Sequence, residues 1–267
     1  MSLEPRQVLI FTDVDGCLIN KHDYDHTDAL PLLERIDRLG IPLIPASSKT
    51  AAELLHLADE LRLNEAPLIC ENGATTIWRG EQFRPESRTT CGVDRGDVLS
   101  ILQQFKAKFR FRSFADLGRD GVMQQTDLSH EAAGRAFDRH GTEPLLWDDE
   151  PSQLESFQTA LEAENLTLTH GGRFWHVSGV ATKGDAMHQV TRKYRSLSGQ
   201  DVQTIAIGDS PIDQSMLDRA SWPVGIPGPD GDRRVTVGDA GVFADLPGAA
   251  GWAESVGRLL DRILSKT

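Results

Sequence analysis

The chain is 267 residues long, 39% hydrophobic and 25% charged, with 28 basic against 40 acidic side chains and a net charge of −12. This is the composition of a globular protein, not of a disordered or fibrous one, and its acidity argues against nucleic acid as a partner, since phosphate-backbone binding needs a basic surface. No apolar run approaches the roughly 18 residues that cross a bilayer, and Cys17, Cys70 and Cys91 are too few and too odd in number for a disulfide framework.

The opening MSLEPRQVLI lacks the basic and long apolar regions of a signal peptide. A cytoplasmic protein acting on something small, as a monomer or small homo-oligomer, is the expectation. Along the chain, QVLIFTD (7–13) reads as a first strand. TDALPLLERIDRLG follows, with Leu32, Leu33, Ile36 and Leu39 at helical spacing and Gly40 as its stop. IPLIPASS (41–48) is a second strand. TAAELLHLADELRL then opens with a Thr50-x-x-Glu53 capping box and carries Leu54, Leu57, Ala58 and Leu61. PLICENG (67–73) is a third strand.

This strand–helix alternation predicts an α/β fold with a Rossmann-like, doubly wound parallel sheet. From about residue 83 to 172 the pattern changes to shorter apolar segments among Pro, Gly and charged residues, with helices expected at RGDVLSILQQFKAKF and PSQLESFQTALEAENL. RFWHVSG (173–179) and QTIAIGDS (203–210) return as strands, and GWAESVGRLLDRILSK reads as a closing amphipathic helix. A discontinuous core, 1–82 and 176–267, with an inserted α/β cap at 83–175 is the expected organisation.

Ligands of open α/β sheets bind beyond the carboxyl ends of the strands. Polar groups gather at four such ends: Asp13 and Asp15; Ser47, Ser48 and Lys49; Lys183; Asp209 and Asp213. Carboxylates about 4 Å apart repel by roughly 4 kcal/mol per pair at an effective dielectric near 20, so they must take up protons or share a cation. An all-oxygen donor set suits Mg²⁺, and no Cys/His set has zinc spacing. Cation, lysine, hydroxyl and spare carboxylate together suit phosphoryl transfer.

In these residues the chain resembles the haloacid dehalogenase (HAD) superfamily of phosphatases. DVDG at 13–16, Ser47, Lys183 and GDSPID at 208–213 match its four motifs in order. The finer resemblance is to the mannosyl-3-phosphoglycerate phosphatase family, carried by PASSKT (45–50), ENGA (71–74), QTDLS (125–129), EPLLW (143–147), GGRFWHV (171–177) and KGDA (183–186). The resemblance implies that Asp13 is the nucleophile, forming an aspartyl-phosphate, and that Asp15 is the general acid and then base. It also implies that Ser47 and Lys183 hold phosphate. Asp13, the Asp15 backbone carbonyl and Asp209 would ligate Mg²⁺, with Asp213 behind them. Lys49, Arg173 and His176 are further substrate-binding candidates, Arg173 as a planar clamp for a carboxylate.

The implied activity is Mg²⁺-dependent hydrolysis of mannosyl-3-phosphoglycerate, a small anionic sugar phosphate; the glucosyl analogue, a sugar-phosphate mutase and an inactive sugar-phosphate-binding module stay open as alternatives. Two departures stand out: Cys17 replaces the usual Thr, and Ser210 and Ile212 replace the Gly and Asn of Gly-Asp-Gly-x-Asn-Asp. Division of labour is expected between the paired aspartates, with a less charged surrounding letting Asp15 hold a proton near neutral pH. HDYDH (22–26) reads as a solvated loop beside the first motif rather than a metal site, and RGD (95–97) as a helix start. GGRFWHV reads equally well as a turn and strand with a buried Trp175.

Overall fold

The computed structural model describes residues 7–126, 128–171 and 173–265. Residues 1–6, Asp127 and Gly172, which fall within the N-terminal stretch and two of the segments that carry the resemblance, lie outside them. Twelve strands are described: β1 (Gln7–Thr12), β2 (Leu43–Pro45), β3 (Leu68–Cys70), β4 (Thr75–Trp78), β5 (Ser87–Thr90), β6 (Phe111–Ser113), β7 (Thr142–Trp147), β8 (Leu166–Gly171), β9 (Phe174–Gly179), β10 (Val202–Gly208), β11 (Trp222–Gly225) and β12 (Val242–Phe243). The α-helices are α1 (Leu30–Arg38), α2 (Ala51–Glu60), α3 (Arg95–Phe105), α4 (Phe114–Thr126), α5 (His130–Phe137), α6 (Leu154–Ala163), α7 (Lys183–Ser198), α8 (Gln214–Leu217) and α9 (Gly248–Leu264).

The central sheet is parallel throughout, in the order β12-β11-β10-β1-β2. In β1 the residues alternate between two cores. Val8 and Ile10 pack with Leu33 and Ile36 of α1 and Trp252 and Val256 of α9. Leu9 and Phe11 pack with Met187 and Val190 of α7 and Met216 of α8. Burial on both faces is why this strand reads as a continuous apolar run. Thr50 caps α2 through the expected box, its hydroxyl accepting from Glu53 N and the Glu53 carboxylate from Thr50 N. Leu39, counted on the apolar side of the first helix, is exposed, because α1 ends one residue before it.

β3 lies in a separate antiparallel sheet, β3-β4-β5, joined to β2 by an Ala46–Ile69 bridge. The remaining sheet, β6-β7-β9-β8, is antiparallel, with Val98, Leu102, Phe157 and Leu161 of α3 and α6 packed on it. Two expectations need correction here. RFWHVSG belongs to this sheet, paired along its length with β7 and β8, so a boundary at 175/176 cuts a strand; one at 82/83 likewise divides the β4–β5 hairpin. Trp175 is half-buried, not buried, and lies against His170 with ring centroids 4.6 Å apart. Among the described residues, no helix is long and apolar enough to cross a membrane.

Candidate active site

β1 and β10 are neighbours, but the chain leaves β1 toward β2 on one side and returns to β10 on the other. Such a reversal opens a crevice at the carboxyl ends of the two strands. Asp13 follows β1 and donates its N–H to the Ile207 carbonyl at 2.9 Å, while Asp209 follows β10. Both carboxylates therefore stand at the mouth of the crevice, with only 7% and 3% of their surfaces exposed.

Lys183 does not extend from a core strand, as its place after RFWHVSG implied. It is the first residue of α7, whose start is held by Thr182 and Asp185: the Asp185 carboxylate accepts from Thr182 N, and the Thr182 hydroxyl from Asp185 N. The ammonium is 1% exposed and donates to Asp13 Oδ1 at 2.7 Å and Asp213 Oδ1 at 2.6 Å. Burial by itself lowers the pKa of a lysine, but the two carboxylates outweigh it and raise that of Lys183. Asp213 is fully buried, and its other oxygen accepts from Asp209 N, Ser210 N and the Ser210 hydroxyl. Ser210 thus supplies a third donor to this aspartate. Ile212 is half-buried on the short turn between them.

Asp15 is less solitary than expected. Lys49 Nζ lies 2.8 and 2.7 Å from its two carboxylate oxygens, which corrects the idea of a less charged surrounding. Burial pulls the Lys49 pKa down, and Asp15 more than restores it. Ser47 is buried one turn away, its hydroxyl accepting from Lys49 N at 3.2 Å. Gly16, at φ +92°, passes so close to Asp209 that a Cβ there would lie 2.9 Å from Oδ2.

The donor chemistry fits a hard cation. Burial, then the neighbouring Asp213, pushes both Asp13 and Asp209 above the usual carboxylate range, so positive charge between them is favourable. Among the described residues Asp13, Cys17 and Asp209 form the one group whose ligand atoms converge, all within 4.8 Å. The buried Cys17 thiol is itself pushed well up, by burial and then by Asp13, and stays protonated. That leaves carboxylate oxygens as the ligands, the set that Mg²⁺ prefers.

Arg173 and His176 stand in the four-stranded unit. Arg173, at the β8–β9 turn, donates to the Gln125 carbonyl at the end of α4, and His176 lies mid-strand opposite Pro144 and Thr169. The 22–26 loop is mostly exposed, with Asp25 accepting from Thr27 and Lys49 near the Tyr24 ring. Two residues escaped the sequence reading. Lys21 Nζ is 3.4 Å from Asp209 Oδ2, beside a cleft of ≈ 300 Å³ that borders Asp209 and Gly16. Glu71, quoted within ENGA, is buried against residues 140–142. A lysine just beyond the first motif was the available signal for Lys21; nothing local marked Glu71.

A model of the haloacid dehalogenase-like hydrolases matches residues 10–226. A glucosyl-3-phosphoglycerate/mannosyl-3-phosphoglycerate phosphatase from Persephonella marina is 34% identical, the match covering 96% of this chain and 98% of that one. Two solved structures share the fold. A Thermoplasma acidophilum protein superposes with a TM-score of 0.67 at 15% identity, over 97% of this chain and 99% of its own. A haloacid dehalogenase-like hydrolase from B. subtilis does so with a TM-score of 0.63 at 17% identity, over 95% and 98%.

Proposed function

The chain belongs to the haloacid dehalogenase-like hydrolase family and is a phosphoric monoester hydrolase; from that premise we propose that it releases phosphate from mannosyl-3-phosphoglycerate or its glucosyl counterpart. The observation that carries the chemistry is the buried Lys183 ammonium bridging Asp13 and Asp213 beside Asp209. The substrate class rests on the Persephonella relative, whose name covers both sugars and whose match spans nearly the whole of both chains.

In this reading Asp13 attacks phosphorus in line with the departing alcohol, giving an aspartyl-phosphate and breaking the ester P–O bond. Lys183 turns one of its donors from Asp13 toward a phosphoryl oxygen, keeping Asp213 as its anchor. The Ser47 hydroxyl donates to another. Asp15 protonates the leaving oxygen, then takes a proton from the water that opens the acyl phosphate. Its bidentate partner Lys49 must loosen for this, and an incoming dianion supplies the competing attraction. Mg²⁺, held by Asp13, Asp209 and the Asp15 backbone carbonyl, would supply charge neutralisation for the phosphoryl oxygens.

The unit built from β6–β9 and its helices acts as the cap, covering the bound substrate and limiting water. Arg173 and His176, carried on that unit, read the glyceric carboxylate and sugar. The test is phosphate release from synthetic mannosyl- and glucosyl-3-phosphoglycerate with Mg²⁺, beside simple hexose phosphates. Selective release from either glycosyl substrate supports the whole reading. Equal release from all of them would discard the substrate, and no release would discard the hydrolytic assignment. A mutase would consume substrate without releasing phosphate in proportion.

A further inference from the structure

Glu71 is 1% exposed, yet its carboxylate accepts four hydrogen bonds, all from one short segment of the inserted unit. Oε1 accepts from His140 N at 2.8 Å; Oε2 accepts from Gly141 N at 3.1 Å, Thr142 N at 2.9 Å and the Thr142 hydroxyl at 2.7 Å. The backbone there is unusual. Glu71 and Asn72 both adopt left-handed conformations, φ +52° and +57°, which residues with a Cβ resist. Strain of this kind persists only where surrounding contacts over-determine it, and it gathers at functional sites.

Those contacts lead to the phosphate-holding loop. Glu71 N donates to the Lys49 carbonyl at 2.9 Å and Asn72 N to the Ser47 carbonyl at 2.8 Å. Arg139 completes the row by donating to the Ser48 carbonyl at 2.9 Å, while its Nε donates to the Thr142 hydroxyl at 2.8 Å. Three successive carbonyls, those of Ser47, Ser48 and Lys49, are thus held by the 71–72 turn and by Arg139. Thr50 Oγ1 adds a donor to the Arg135 carbonyl at 2.8 Å. Gly73 presses against the Thr182 carbonyl, where a Cβ would come within 2.2 Å, so the same turn also backs the segment that delivers Lys183.

We propose that Glu71 is a positioning residue that locks the 139–142 segment of the cap onto the phosphate site, so that cap seating and the placement of Ser47 and Lys49 are one coupled geometry. The inference rests on the reading of Ser47 and Lys183 as phosphate-holding groups. A carboxylate suits the role because each partner is a donor, and putting a donor in place of one of its oxygens leaves a buried partner unpaired. Glu71→Gln keeps the size but turns an NH₂ toward backbone N–H groups.

The experiment is calorimetric titration of inorganic phosphate into Mg²⁺-loaded protein, comparing wild type with Glu71→Gln, Thr142→Val and Lys183→Met, each shown native by circular dichroism at the working temperature. Glu71→Gln is expected to bind phosphate about tenfold more weakly and Thr142→Val about threefold. In phosphatase assays both should raise KM more than they lower kcat. A merely structural role predicts a lower Tm with unchanged phosphate affinity, and that result in either variant overturns the inference. Thr142→Val, which loses only the hydroxyl with its bonds to Glu71 and Arg139 and leaves three donors on Glu71, keeps the test decisive where Glu71→Gln fails to fold. Undiminished binding by Lys183→Met, or none by wild type, would remove the phosphate-site reading and this inference with it.

Discussion

Replacing Lys183 with Met isolates the electrostatic claim at the centre of the site. Met has similar length and no charge, so Asp13 and Asp213 each lose an ammonium partner, at 2.7 and 2.6 Å, without a large cavity. Removing one member of a buried ion pair costs about 3–5 kcal/mol, because the other charge is left uncompensated. Two carboxylates are affected here, which places the expected loss near the top of that range, a large share of the roughly 5–15 kcal/mol that holds a domain folded. Asp213 keeps its three donors on Oδ2, so much of the deficit falls on Asp13.

The pH dependence has a definite sign. Asp13 is already pushed up by burial and by Asp213, and Lys183 is the group that opposes this. Without it the folded state binds a proton more tightly than the unfolded state, so stability falls as pH rises toward the raised value. The deficit of Lys183→Met relative to wild type should therefore be smaller at a mildly acidic pH than at a mildly alkaline one, since burial and Asp213 push Asp13 above the usual carboxylate range. Urea unfolding of metal-free protein at both values measures it. A loss below about 1 kcal/mol at the higher pH, or one that does not change with pH, would refute this account of the cluster.

Asp13→Asn should lower phosphate release by at least about a thousandfold, because an amide cannot form the acyl phosphate; a colorimetric phosphate assay on folded protein decides it. Gly16→Ala places a Cβ 2.9 Å from Asp209 Oδ2 at φ +92°, and should weaken Mg²⁺ binding about tenfold by titration calorimetry while lowering stability by about 1–2 kcal/mol. Ile212→Asn should change kcat by less than about twofold, since Asp213 already has three donors from Asp209 and Ser210. A large gain in turnover would show that the missing amide limits the enzyme.

How far the sequence foretold this site depends on how local each feature is. Asp13 and Asp209 were legible because each directly follows an apolar strand, with Asp15 and Asp213 two and four residues further on, and a strand end in a parallel sheet points at the crevice wherever the rest of the chain goes. The α2 start, with its Thr50–Glu53 capping box, was equally local. RFWHVSG misled for a physical reason: Phe174, Trp175 and Val177 make an apolar run like that of β1, yet the strand pairs antiparallel between β7 and β8. An apolar run alone does not distinguish a parallel strand from one covered by helices in a small antiparallel sheet. Helices α4 and α5 were hidden by glycines: Gly118 breaks the first at φ +63°, and Gly121 and Gly134 lower its helical signal and that of its neighbour. The pairings Lys49–Asp15, Lys21–Asp209 and Glu71–Thr142 span 34, 188 and 71 residues, and no periodicity reports them.

These pairings resolve an apparent conflict between the chain's charge and its substrate. A protein of net charge −12 repels a phosphate ester at long range, and its crevice adds four carboxylates of its own, Asp13, Asp15, Asp209 and Asp213. Each of the four has an ammonium within contact distance: Lys183 serves Asp13 and Asp213, Lys49 serves Asp15, and Lys21 serves Asp209. Counted as ionised, four carboxylates against three lysines leave one negative charge, and a single divalent cation reverses the sign. With the cation in place a bound dianion leaves the crevice at one negative charge, whereas without it the same dianion would leave three. Acidic surroundings and a locally positive site are compatible because the pairs sit at contact distance, and those of Lys183, which are buried, are screened far less than the surface charge around them.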